Sequence, residues 1–254
     1  RDPDNLIYFR QEVQGLLMGG YERTSKPWKT SRESLDEIPQ NFNNMLLPED
    51  WDRFEEIAAN SQMRVPKMGE IGIKSFINGP EAFTPDNEFC LGETEVGGFY
   101  VAAGYCAHGI AGAGGIGKVM AEWIVGNEPP MDLWHMDIRR FGPAYKSPAF
   151  TLDRIQENYE QYYDIHYPQE ERQTCRPFNV SPVYEWHKAN GASFGEKASW
   201  ERVNFYKNHQ GTESTRPIGW AGKNWSDAVQ IEHEATRNHA GLFDESSFAK
   251  LEVN

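Results

Sequence analysis

Alternating apolar and polar positions open the chain in Leu6-Ile7-Tyr8-Phe9-Arg10-Gln11-Glu12 and, after Val13-Gln14, in Gly15-Leu16-Leu17-Met18-Gly19-Gly20-Tyr21-Glu22. Two such runs across a short turn predict a β-hairpin, the unit from which an antiparallel sheet is built. Strand side chains point to opposite faces in turn, so Tyr8 and Arg10 are expected on the same one. The polar stretch from Thr24 to Asn44, with Pro27 and Pro39, predicts a loop. Pro48-Glu49-Asp50 then supplies a helix start, and Trp51, Phe54, Ile57 and Ala58 follow at helical spacing. Alternation returns in Ile71 to Gly79, which reads as a strand, and a proline-bounded loop from Pro80 to Asp86 leads towards Cys90-Leu91-Gly92-Glu93. Gly97 to Ala103 is small or apolar throughout and predicts a buried strand.

The segment Gly104 to Gly126, GYCAHGIAGAGGIGKVMAEWIVG, follows that strand directly. Its Gly109, Gly112, Gly114, Gly115 and Gly117 predict a turn whose backbone takes positive φ or lies flat against a ligand. From Gly115 the period becomes helical, with Ile116, Val119, Met120, Trp123 and Ile124 on one face, until Gly126 and Pro129-Pro130 end it. A helix N-terminus leaves free backbone N–H groups and a dipole that favours negative charge, so an electron-rich ligand edge suits this place. A glycine turn that only packs a helix closely on a sheet would carry the same pattern. Gly112-x-Gly114-x-x-Gly117 has dinucleotide-fingerprint spacing, but Asp132 and Asp137 lie in a proline-bounded loop rather than at the end of a second strand. Val119 stands where a phosphate-binding P-loop needs Ser or Thr.

Composition narrows the function classes. A chain of 254 residues, 39% hydrophobic and 13% aromatic, has enough apolar surface for one large or two ordinary domains. A formal net charge of -13 argues against nucleic acid or an anionic membrane surface as partner, since both would repel it. No apolar run reaches membrane-spanning length. Cys90, Cys106 and Cys175 are far apart and odd in number, and the His residues are scattered, so neither a disulfide framework nor a metal site is expected. The abrupt start at Arg1-Asp2-Pro3 reads as an internal piece of a longer protein. Tyr8 and Arg10 side by side suit a small carboxylate substrate, which a guanidinium pairs in fork geometry, although an ordinary exposed strand face has the same pattern.

The ordered motifs Tyr8-x-Arg10, Gly19-Gly20-Tyr21-Glu22, Asn78-Gly79-Pro80-Glu81-Ala82-Phe83-Thr84-Pro85-Asp86, Leu91-Gly92-Glu93 and Gly98-Phe99-Tyr100-Val101-Ala102-Ala103-Gly104 resemble the FAD-dependent dimethylglycine and sarcosine dehydrogenase family. So do the Gly114-Gly115-x-Gly117 helix and Asp137-Ile138-x-Arg140-Phe141. The resemblance continues through Tyr167-Pro168-x-Glu170-Glu171, Ser181-Pro182-Val183-Tyr184 and Trp200-Glu201-Arg202 to Trp225, Glu232 and Ala240-Gly241-Leu242-Phe243-Asp244. It implies an α+β fold: a mainly antiparallel sheet with flanking helices, the substrate half of a D-amino-acid-oxidase-like flavoprotein, then a small central domain. The implied divisions are 1–142 for the oxidoreductase part with its closing FAD helix, 143–225 for the central domain and linker, and 226–254 for the start of an aminomethyltransferase-like folate domain.

The implied activity is oxidative demethylation of an N-methyl amino acid with FAD as cofactor. The one-carbon unit passes to tetrahydrofolate or leaves as formaldehyde, and the electron acceptor, a protein or oxygen, stays open. This piece alone is expected to be inactive, and the implied compartment is a bacterial cytoplasm or a mitochondrial matrix. Tyr8 and His108 are the candidate catalytic groups, assisting loss of the amine proton; Arg10 and Tyr105 are the candidates for substrate binding. Cofactor contacts are assigned to Cys106, Ala107, Gly109, Ile110, Gly114, Gly115 and Gly117. Cys106-Ala107-His108 departs from the small or amide residues usual in the family, which leaves His108 free to meet flavin, substrate or solvent. The same architecture occurs in a non-catalytic pyruvate dehydrogenase phosphatase regulatory subunit, the alternative from another functional class.

Overall fold

Each predicted apolar run that finds a partner ladder forms a short antiparallel pair, and helices cover the pairs. The computed structural model describes residues 1–31, 38–167, 170–208 and 226–253; the motif positions Pro168 and Trp225 lie outside them. The chain divides into two compact units, Arg1–Ile165 and His166–Asn254.

In the first unit, β1 (Ile7–Glu12) and β2 (Gly15–Gly20) form the expected hairpin, in register from Ile7 opposite Gly20 to Glu12 opposite Gly15. Tyr8 faces Gly19, and a Cβ on Gly19 would lie 2.6 Å from the Tyr8 ring carbon that bears the hydroxyl, so only glycine admits the phenol across this strand. Helix α1 (Trp51–Arg64) starts as its sequence directs, with the Asp50 carboxylate capping the Arg53 N–H at 3.2 Å. Its Ile57 is buried beside Gly20.

The stretch from Ile71 to Gly79 is not a strand. A strand needs a ladder of backbone bonds, and here, among the described residues, only Asn78 supplies links, from its carbonyl to the Leu47 N–H at 2.8 Å and from its side chain to the Pro48 carbonyl at 2.7 Å. Ile71, Ile73 and Ile77 are exposed in consequence.

Strand β3 (Cys90–Glu93) pairs antiparallel with β4 (Tyr100–Ala103). The latter is shorter than the run from Gly97 predicts, and it is not a buried strand, because Ala102 and Ala103 are exposed. Helix α2 (Gly109–Gly126) packs on this pair through Met120 and Trp123, which with Leu91 make a buried core flanked by Phe89, Tyr105, Ile116 and Leu133. The predicted helix starts at Gly115, six residues too late. None of Gly109, Gly112, Gly114, Gly115 or Gly117 takes a positive φ, so the glycine turn does not exist and these residues are helical. Helix α3 (Pro148–Gln161), capped by Ser147 with Pro148 in its first turn, completes the unit.

The second unit holds α4 (Tyr184–Ala189), the hairpin of β5 (Ala192–Lys197) and β6 (Trp200–Tyr206), and α5 (Asp227–Asn238). Arg176 clamps Glu201 with two bonds, at 2.8 and 2.7 Å. Helices and three antiparallel pairs make the protein α+β; among the described residues the pairs remain separate two-stranded sheets rather than one large sheet. No helix of the described residues is long and apolar enough to cross a membrane.

Candidate functional site

The chain leaves β4 through Gly104 and Tyr105, and the sharp turn falls on Cys106 (φ 45°) and Ala107 (φ 65°). Side-chain-bearing residues in this left-handed region cost about 1–2 kcal/mol each, so surrounding bonds must hold them there. The Cys106 N–H donates to the Ala82 carbonyl at 3.1 Å, and its buried thiol accepts from the Thr84 N–H at 3.4 Å. Asn158 of α3 donates to the Thr84 carbonyl at 3.0 Å, tying the turn to that helix. Burial pushes the Cys106 thiol up, and its inward direction leaves backbone atoms as this residue's contribution to any ligand. The Tyr105 hydroxyl donates to the Ala102 carbonyl at 2.6 Å and its ring packs edge-on against Phe89, so Tyr105 serves the core of α2 and is not brought to Tyr8.

The turn delivers His108 to the N-cap of α2, where its side chain makes no capping bond. The first intrahelical bond runs from the Gly112 N–H to the His108 carbonyl at 2.8 Å, so the N–H groups of Gly109, Ile110 and Ala111 precede the ladder and lack a side-chain cap. Beyond them the helix surface is smooth: a Cβ at Gly114, Gly115 or Gly117 would meet nothing within 4 Å, and Ile110 is 99% exposed. A helix start without a side-chain cap, next to an open glycine surface, fits the edge of a flat, electron-rich group such as a flavin.

On its other side His108 meets a cluster that sequence reasoning missed. The Tyr162 hydroxyl lies 2.8 Å from the ring nitrogens of His108, and His108 Nδ1 lies 3.0 Å from the Cys106 carbonyl. A carbonyl only accepts, so Nδ1 carries the proton towards Cys106, while the Tyr162 hydroxyl, equidistant from the two ring nitrogens, sits beside the ring rather than along the Nε2 lone pair. The Tyr162 ring is fixed by Phe83 at 5.2 Å and Tyr163 at 5.0 Å. Tyr163 stacks on Tyr21 at 3.9 Å, and Tyr8 completes the row 6.3 Å from both. Tyr8 and His108 are therefore joined through Tyr21, Tyr163 and Tyr162. Arg10 stands apart, its exposed guanidinium held by Glu12 at 2.8 Å. The Tyr159 hydroxyl donates to Glu22 at 2.5 Å, and Arg53 holds the other oxygen of the same carboxylate at 2.6 Å.

Burial raises the phenols of Tyr8, Tyr21, Tyr159 and Tyr162 above their ordinary value, so at neutral pH all four are protonated. Tyr8 can then donate a hydrogen bond but is not a ready base; the accessible lone pair in the cluster is that of the His108 imidazole. The signal for the missed residues is present in the sequence: Tyr159, Tyr162 and Tyr163 fall at i, i+3 and i+4, one helical face at the end of α3.

Residues 1–123 match the family described as FAD dependent oxidoreductase, 127–181 match the FAD dependent oxidoreductase central domain, and 183–254 match the GCVT N-terminal domain. The 4-methylaminobutanoate oxidase (formaldehyde-forming) of Paenarthrobacter nicotinovorans is 37% identical over 254 residues, covering 100% of this chain and 30% of that protein. Mouse mitochondrial dimethylglycine dehydrogenase is 32% identical over 256 residues, covering 100% of this chain and 29% of its own length. The mouse mitochondrial pyruvate dehydrogenase phosphatase regulatory subunit is 34% identical over 257 residues, 99% of this chain and 28% of its own. The chain thus spans about three tenths of the length of the curated relatives it matches.

Proposed function

Because this chain belongs to the FAD dependent oxidoreductase family, in the group that joins an oxidoreductase part to a central domain and a GCVT domain, we propose that the protein carrying it oxidatively demethylates an N-methyl amino acid such as dimethylglycine or sarcosine. The observation that carries this reading is the N-terminus of α2 without a side-chain cap, beside an open glycine surface and in contact with His108. Gly109, Ile110, Gly114, Gly115 and Gly117 would hold the flavin through backbone, with Cys106 and Ala107 contributing main-chain atoms. FAD, when bound, supplies the acceptor for the substrate's hydride.

The chain's own residues then have separable tasks. The N-methyl amine of such substrates is protonated at neutral pH, with a pKa of about 10, and must lose that proton before a hydride can leave. His108 Nε2 takes it. Tyr8 donates a hydrogen bond and, with Arg10 released from Glu12, orients the carboxylate. Segments 1–142, 143–225 and 226–254 divide these tasks: oxidoreduction, a central linking domain, and the beginning of a tetrahydrofolate-binding domain that receives the one-carbon unit. A bacterial cytoplasm or a mitochondrial matrix is the compartment in this reading, in keeping with the bacterial and mitochondrial relatives.

The test is anaerobic addition of dimethylglycine, sarcosine or 4-methylaminobutanoate to the full-length protein while its visible flavin absorbance is followed. Bleaching by at least one of the three is expected. A full-length protein that carries no flavin would instead favour the regulatory role named for the mouse phosphatase subunit.

A further inference from the structure

The tyrosine row at the end of α3 carries a cation on one side. The Arg1 guanidinium stands over the Tyr163 ring, its Cζ 4.1 Å from the ring centre, and its Nη2 donates to the Tyr163 carbonyl at 3.3 Å. Both supports are fixed. Tyr163 is stacked on Tyr21 at 3.9 Å and packed against Tyr162 at 5.0 Å, and the backbone next to Arg1 is held by the two bonds between Asp2 and Ile7, at 2.8 and 3.1 Å. Among the described residues no carboxylate pairs with Arg1, whereas Arg10 is engaged by Glu12 at 2.8 Å. Most of the guanidinium's N–H donors therefore remain for an oxyanion.

A charge of opposite sign flanks the same row. Glu81 precedes Ala82, whose carbonyl accepts from the Cys106 N–H at 3.1 Å, and Phe83, which packs edge-on against Tyr162 at 5.2 Å. Burial does most to raise the Tyr162 phenol, while Arg1 lowers it and Glu81 raises it, so both charges act on one hydroxyl. After burial, Glu81 also raises the phenols of Tyr8 and Tyr21. Among the described residues Arg1 and Glu81 do not pair with each other. A cation and an anion held apart beside aromatic rings are complementary to a zwitterion, with its carboxylate at one end and its methylated ammonium against the rings.

We propose that Arg1 anchors the carboxylate of the N-methyl amino acid, with the methylammonium end directed along the tyrosine row towards Glu81. The inference rests on the proposed amine oxidation. It gives the carboxylate a guanidinium that needs no release from an acid, so Arg1 bears more of that task than Arg10. An amine without a carboxylate gains nothing from Arg1.

The test is anaerobic flavin reduction in the full-length protein, followed against the concentration of dimethylglycine, sarcosine and 4-methylaminobutanoate. For each one that reduces the wild type, Arg1→Gln should raise the half-saturating concentration at least about tenfold and leave the limiting rate within about threefold. Arg1→Lys, which keeps the charge and loses the fork, should fall between the two. Arg10→Gln should weaken saturation less than Arg1→Gln. Competitive binding of 2-dimethylaminoethanol, which has a hydroxymethyl group in place of the carboxylate of dimethylglycine, should change less than about twofold in Arg1→Gln and so shows that the site is still formed. Unchanged saturation in Arg1→Gln, a larger effect in Arg10→Gln, or equal weakening of dimethylglycine and 2-dimethylaminoethanol would overturn the role of Arg1 alone. No reduction of wild-type flavin by any of the three amino acids would overturn the oxidation reading and this inference with it.

Discussion

At the scale of single residues, the arrangement depends on side chains that lock short loops. Asp2 shows how. Its carboxylate binds Arg64 at the end of α1 and the Asn5 side chain at 2.8 Å, while its backbone exchanges bonds with Ile7 at 2.8 and 3.1 Å. These partners, the Arg64 guanidinium foremost, hold the Asp2 carboxyl down from its usual 3.8 to about 2. A depressed folded-state value means that the stabilisation is present above the unfolded value and is lost as pH falls through the folded one. The thermal midpoint of the protein should therefore drop between roughly pH 4 and pH 2 by more in wild type than in Asp2→Asn, which has already lost the charge-assisted pairing. Equal acid sensitivity of the two would show that this pair does not contribute.

At the scale of elements, the decisive fit is α2 against β3. Gly92 in β3 has φ 100°, and a Cβ there would collide with the Trp123 ring of α2, three of whose atoms lie within 2.9 Å of it. Gly92→Ala combines left-handed strain with overpacking, about 2–4 kcal/mol together. Amides from Val119 to Val125 should accordingly exchange with solvent at least thirtyfold faster, a change read by hydrogen-exchange mass spectrometry; unchanged protection would mean that α2 does not need this contact.

The same elements show what sequence carries and what it does not. The β1–β2 hairpin and the start of α1 were legible because alternation, a short turn, and a proline followed by acidic residues are local signals that no distant contact overrides. The start of α2 was not. Its glycines argue locally for a turn, yet the reversal is made upstream at Cys106 and Ala107, held by Ala82 and Thr84, and those partners are invisible to a local pattern. Ile71 and Ile73 alternate like a strand but have no ladder to join among the described residues. Of the candidate site, Tyr8 and His108 were singled out individually. Tyr162 and Tyr163, which join them, were not: their helical spacing shows a shared face, but the distant partners of that face, His108 and Tyr21, leave no mark on it.

At the scale of the whole molecule, the unit from Arg1 to Ile165 gathers every candidate for cofactor and substrate, while the unit from His166 to Asn254 carries the whole match to the GCVT domain. The central claim is that the open glycine surface of α2 is where the flavin edge rests. Gly115 and Lys118 separate that claim from simple helix stability. Gly115 faces open space, so Gly115→Val disturbs no packing in this unit and, by helix propensity, stabilises α2 by a few tenths of a kcal/mol. Lys118 is solvent-exposed, with its ammonium 3.8 Å from Glu122, a pair worth little. The direct measurement is flavin per polypeptide in the purified full-length protein for Gly115→Val and Lys118→Ala, with folding checked by circular dichroism. The account predicts a tenfold or greater loss of flavin in Gly115→Val with the fold retained, and near-normal flavin in Lys118→Ala; equal flavin in the two variants would contradict it.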